Sequence, residues 1–204
     1  MKTLGKTTFL WLVGFLFFGV LAACFSKSMV PGPDPEEYQV YHALISERFL
    51  QGHSDEGGIK TLVIEDRTGT GFGSANDKSF AEGLKKEMGL DESVAKDFAL
   101  INQKPYPLYN LFGFKSPVRM VDQATLDGFS KNGVEGYWDL FYKKFPDSQG
   151  LITLSRVGFN STRTQALVYI GNSCGGLCGT GYYVRLDKQG NVWKVTKNSM
   201  AWIS

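Results

Sequence analysis

Gly181-Tyr182-Tyr183-Val184-Arg185-Leu186-Asp187 decides the fold class. Tyr182, Val184 and Leu186 alternate with Tyr183, Arg185 and Asp187, the period of a strand with one face toward a core. Residues 151–159, 165–170 and 192–196 are strand-like too, and 200–203 can extend the last of them. The separators are Asn160-Ser161, a Gly/Cys loop and Lys188-Gln189-Gly190-Asn191. Connections this short favour antiparallel neighbours. The last quarter of the chain therefore predicts a four-stranded antiparallel meander.

Helices precede it. In Asp34-Pro35-Glu36-Glu37, Asp34 is placed to cap, Pro35 suits the first helical position, and Glu37 completes a capping box. Tyr38, Tyr41, Ile45 and Phe49 follow at helical spacing, and Gly52 with Gly57-Gly58 is expected to end that helix. Residues 60–65 predict a buried strand, 78–88 and 92–102 two short helices, 117–121 a strand, and 134–145 an aromatic helix stopped by Pro146. The expected class is α+β: N-terminal helices followed by a C-terminal four-stranded antiparallel meander.

The chain has 204 residues, 43% hydrophobic and 21% charged, which is enough to build a core. Its 22 Lys+Arg and 20 Asp+Glu give only +2, without the basic excess a nucleic-acid binder needs. Even that small excess is local. Lys2 and Lys6 are followed by an uncharged, strongly apolar run over residues 7–23, the pattern of a secretory leader. Without residues 1–23 the chain is formally neutral, with 20 basic and 20 acidic side chains.

The leader ends in Leu21-Ala22-Ala23-Cys24, which resembles the lipobox of bacterial lipoproteins. That resemblance implies cleavage before Cys24 and lipidation of its thiol. It gives the expected organisation: signal peptide 1–23, flexible tether 24–33, and one α+β domain over 34–204. Phe25 after the cysteine resembles lipoproteins sorted to the outer membrane, facing the periplasm. An uncleaved membrane helix is the competing reading of the same apolar run.

Assigning Cys24 to lipid leaves Cys174 and Cys178 of three cysteines. In an oxidising compartment, Cys174-Gly175-Gly176-Leu177-Cys178 reads as a small disulfide clipping a hairpin, contributing about 2 kcal/mol by chain entropy. A redox pair has a different spacing and context, and a closed zinc site needs four ligands. Gly69-Thr70-Gly71-Phe72-Gly73 follows a strand, but Ser74 stands where a dinucleotide loop needs its third glycine. The two histidines, His42 on the first helix and His53 in a polar loop, have no nucleophile or carboxylate at an informative spacing. No catalytic, cofactor or metal residue is assigned. Arg156 interrupts an apolar strand and is the candidate ligand contact, an anchor for an anionic group. The alternative for Arg156 is an ion pair or an outward-facing position.

Residues 154–204 carry Ser155-Arg156-Val157-Gly158-Phe159-Asn160, the Cys174–Cys178 loop, Val192-Trp193-Lys194-Val195 and Trp202-Ile203-Ser204. This region resembles uncharacterised secreted or lipid-anchored bacterial proteins, which implies no activity. The expectation is an envelope domain that acts by binding or assembly. It would meet the membrane through its lipid, with an envelope protein as partner, no nucleic acid and no cofactor. The alternatives are an envelope enzyme and a periplasmic inhibitor or immunity-like protein.

Overall fold

A computed structural model describes residues 32–50, 61–70, 78–131 and 133–204. The leader, Cys24, Gly52, His53 and Gly71–Gly73 lie outside the described residues. Among those described, α1 (Pro35–Ile45) runs into a π-helical turn, Ser46–Leu50. Then come β1 (Thr61–Glu65), α2 (Lys78–Met88), α3 (Glu92–Ile101), β2 (Val118–Val121), α4 (Gln123–Ser130) and α5 (Gly133–Lys144). The chain finishes with β3 (Ser148–Leu154), β4 (Gly158–Phe159), β5 (Gln165–Gly175), β6 (Cys178–Gln189) and β7 (Val192–Ile203).

The class is mixed α/β, but the four-stranded meander is not what forms. One seven-stranded mixed sheet runs β2-β1-β3-β5-β6-β7, with β4 beside β5. β1 pairs in parallel with both β2 and β3, while β3, β5, β6 and β7 are antiparallel. The two early strands join the later ones through helical crossovers, as parallel pairing requires. The expected single strand 151–159 breaks at Ser155. There Ser155 N still donates to Tyr169 O, but Tyr169 N donates to the Ser155 hydroxyl, which in turn donates to Arg156 O.

Both faces of the sheet are covered. Tyr41, Leu44 and Ile45 of α1 pack on Ile152, Leu154, Val168, Val184 and Leu186, with Leu108 and Phe112 from the loop before β2. On the opposite face, Met88, Val94 and Phe98 of α2 and α3 meet Leu167, Tyr169 and Tyr183. Leu126, Phe129, Phe141 and Phe145 of α4 and α5 meet Val63 and Leu151. α3 lies so close to β4 that a Cβ on Gly158 would come within 2.6 Å of Phe98 backbone.

The α1 capping box forms as its sequence dictates: Asp34 Oδ1 accepts from the Glu36 and Glu37 amides, and Glu37 Oε1 accepts from Asp34 N. Cys174 and Cys178 lie at disulfide distance, with Cα atoms 5.0 Å apart, across the β5–β6 hairpin tip. Leu177 at that tip is 92% exposed.

Candidate functional site

On the α1 side, a groove of about 620 Å³ lies between α1, the 111–113 loop and the β6–β7 turn. Three aromatics form its floor. Tyr38 and Phe112 meet edge to face at 5.3 Å. Trp193 is 2% exposed and lies 5.6 Å from Phe159. Leu111 and Val192 stand exposed on the rim, at 64% and 54%. The size and mixed lining are those of a ligand or peptide site.

Polar groups punctuate that rim. His42 Nδ1 lies 2.8 Å from the Phe112 carbonyl, and its ring stacks on Phe114 at 4.9 Å. A carbonyl only accepts, so Nδ1 carries the proton and Nε2 is left as an acceptor in the neutral ring. Gln39 and Asn191, both exposed, add two amide side chains to the lining. Tyr38 OH accepts from Tyr109 N, which fixes the rim loop against α1. Burial pushes the Tyr38 hydroxyl above its ordinary pKa, so it stays protonated at neutral pH.

The start of α1 lies at the edge of this groove. Pro35 lines it, and Gly32, two residues before the Asp34 cap, sits beside Pro107 O and the Tyr109 ring. Tyr109 is 59% exposed. The chain therefore reaches the domain next to three exposed apolar side chains: Tyr109, Leu111 and Val192.

Arg156 is placed differently from the expected ligand anchor. Its Nε and Nη2 donate to Glu37, the latter at 2.6 Å, and its guanidinium carbon lies 4.6 Å over the Tyr106 ring. The anionic group that Arg156 holds is thus a carboxylate of this same chain. Glu37 is 1% exposed and also accepts from Val157 N, which ties α1 to the segment before β4. Reading Glu37 only as a helix cap missed this second role, because its partner lies 119 positions away.

A second cluster joins α1 to the β6–β7 end. Glu36 accepts from Arg163 Nε and Lys188 Nζ, while Arg163 Nη2 reaches Asp34. Burial works against the Glu36 charge, yet the hydrogen bonds from Lys188 and Arg163 prevail and hold its carboxyl below the usual range. The groove residues other than His42 had no sequence signal of function: Trp193 reads as core, and Leu111 lies in a loop without periodicity.

Among the described residues there is no group of three His, Cys, Asp or Glu positioned to hold a metal ion. No helix among them is long and apolar enough to cross a membrane. No protein-family model, curated protein or solved structure matches the chain.

Proposed function

We propose that this chain is a lipid-anchored envelope domain that works by binding, and that its binding face is the groove beside α1. Lipidation at Cys24 would tether it to the outer membrane, facing the periplasm. Cys24 lies eight residues before Gly32. An extended segment of that length spans about 26–29 Å, so the groove rim stays near the bilayer.

The observation that carries the reading is the groove itself: an aromatic floor, an apolar rim and amide side chains, at the point where the tether meets the domain. Its occupant is a polypeptide segment of another envelope protein. Apolar side chains of the segment fill the aromatic floor, while Gln39, Asn191 and His42 Nε2 pair with its main-chain groups. An acyl chain would leave those polar groups without partners.

Site-specific photo-crosslinking in cells tests this. A crosslinker at Leu111 should capture one defined envelope protein, and the same group at Leu100, on α3 across the sheet, should not. Purified, that partner should bind the wild-type chain and lose at least tenfold in affinity to Val192→Asp. Equal capture at both positions, or a partner indifferent to Val192→Asp, contradicts the reading.

A further inference from the structure

The sheet ends on β7, and its outer edge is open. In the order β2-β1-β3-β5-β6-β7 the last strand pairs with β6 alone. β7 is 12 residues long. Alternate residues of a strand turn both main-chain groups to the same side, so about half of them face away from β6. Among the described residues, no hydrogen bond reaches that outer row of main-chain groups. An edge of this kind is a template for another strand unless something covers or repels it.

The two faces of the edge differ. Trp193, Val195 and Met200 stand in register with Lys188, Leu186 and Tyr182. Trp193 and Val195 pack on the α1-side core, and Met200 is 55% exposed, so this face is apolar. Lys194 and Lys197 stand opposite Asp187 and Arg185. Arg185 donates to the Met88 and Gly89 carbonyls and Lys197 Nζ to the Glu87 carbonyl, which makes this the α2 side. Both lysines are exposed, and among the described residues no carboxylate forms an ion pair with either. Asp187, the register partner of Lys194, is engaged by Arg185 and Thr196. An antiparallel second copy centred on this stretch would set Lys194 against Lys197, and like charges directly opposite are destabilising. The edge repels itself here and is complementary to an acidic strand.

We infer that β7 is a docking edge for an extended acidic segment of another protein, added as one more strand. Main-chain N–H and C=O groups of the segment pair with the open row of β7, which supplies affinity without reading sequence. Its residues alternate. Acidic side chains on the α2 side meet Lys194 and Lys197, and apolar ones on the α1 side extend the surface of Val195 and Met200. This goes beyond the groove reading. The groove meets β7 at Val192, Trp193 and Lys194, and its Leu111 rim takes no part in strand addition.

Fluorescence anisotropy with the full chain in detergent tests it. The probes are short acetylated peptides alternating glutamate with valine, and the same peptides with lysine in place of glutamate. The glutamate peptide should bind saturably at low salt, and the lysine peptide about tenfold more weakly or worse. N-methylating every second residue removes one side's N–H donors. The set facing β7 should abolish binding when methylated, and the set facing solvent should cost no more than about twofold. Lys194→Glu/Lys197→Glu should weaken the glutamate peptide about tenfold or more and make the lysine peptide the better ligand. Leu111→Asp should leave both affinities unchanged. No saturable binding of the glutamate peptide, equal binding of the two peptides, or indifference to both methylation patterns would overturn the inference. Loss of binding in Leu111→Asp would place the peptide in the groove instead, and a homodimer dissolved by Met200→Lys would place a second copy on the edge. Either result overturns it too.

Discussion

Glu37 and Arg156 form the polar joint on which the α1 face depends, and breaking it has a calculable consequence. The Glu37 side chain is 2% exposed and that of Arg156 13%. The carboxylate accepts from Arg156 Nε and Nη2, from Val157 N at 3.0 Å, and from Asp34 N at 3.0 Å. Glu37→Gln keeps the shape, removes the charge, and leaves a guanidinium buried without its counter-charge. Removing one partner of such a pair costs about 3–5 kcal/mol, a large share of a typical stability of about 5–15 kcal/mol. Arg156→Met should cost a similar amount. The double variant Glu37→Gln/Arg156→Met should lose well under the sum, because no lone buried charge remains. Urea unfolding of the four proteins gives the coupling energy, expected at about 2 kcal/mol or more. Single variants within about 1 kcal/mol of wild type, or strict additivity, would refute the reasoning.

Three further outcomes are expected. Gly158→Val forces a side chain into the Phe98 backbone and should cost about 1–3 kcal/mol or more in chemical denaturation, whereas the same change at open Gly128 should show no such packing penalty. Glu36 and Asp187 are held below their ordinary carboxylate range. Burial opposes both charges, but hydrogen bonds from Lys188 and Arg163, and from Arg185 and Thr196, prevail. Their stabilisation is in full force above about pH 4.5 and is lost as pH falls through the lowered folded-state values, so Glu36→Gln should flatten the acid limb of a stability–pH profile. Glu65 has the opposite sign: burial raises its pKa, although Thr153 Oγ1 donates to it. Its contribution is present at low pH and fades as pH rises through the raised value, so Glu65→Gln should gain stability relative to wild type on the alkaline side in thermal melts. Finally, Cys174→Ser/Cys178→Ser should lower stability by no more than about 2 kcal/mol, read by urea titration without reductant.

What was legible in the sequence was local. The Asp34 cap, Pro35 and Glu37 specify the α1 start within four residues, and α2 and α3 begin where their patterns predict. The β5–β6 hairpin follows from strand alternation on either side of a short Gly/Cys loop. The parallel half of the sheet was not legible. Leu62 pairs with Val118 and Val63 with Leu151, and separations this long leave no turn signal between partners. α4 was overlooked although Asp122 caps it through Thr125 N, because its apolar stripe is only Leu126 and Phe129. The same distinction governs the sites. Arg156 stood out as a charge within an apolar run, but its partner is set by tertiary packing. Lys194 and Lys197 each look ordinary in sequence, and only the strand order sets them on an open edge.

The proposed function hangs from Cys24, whose lipidation would set the membrane location, the reach of the tether and the neutrality of the domain. Intact-mass analysis of the chain extracted from membranes tests it most directly. The account expects a species beginning at Cys24, its mass raised by a diacylglyceryl group, and the loss of that species with release from the membrane in Cys24→Ala. A membrane-retained chain that still carries residues 1–23, with an unmodified Cys24 thiol, would contradict it.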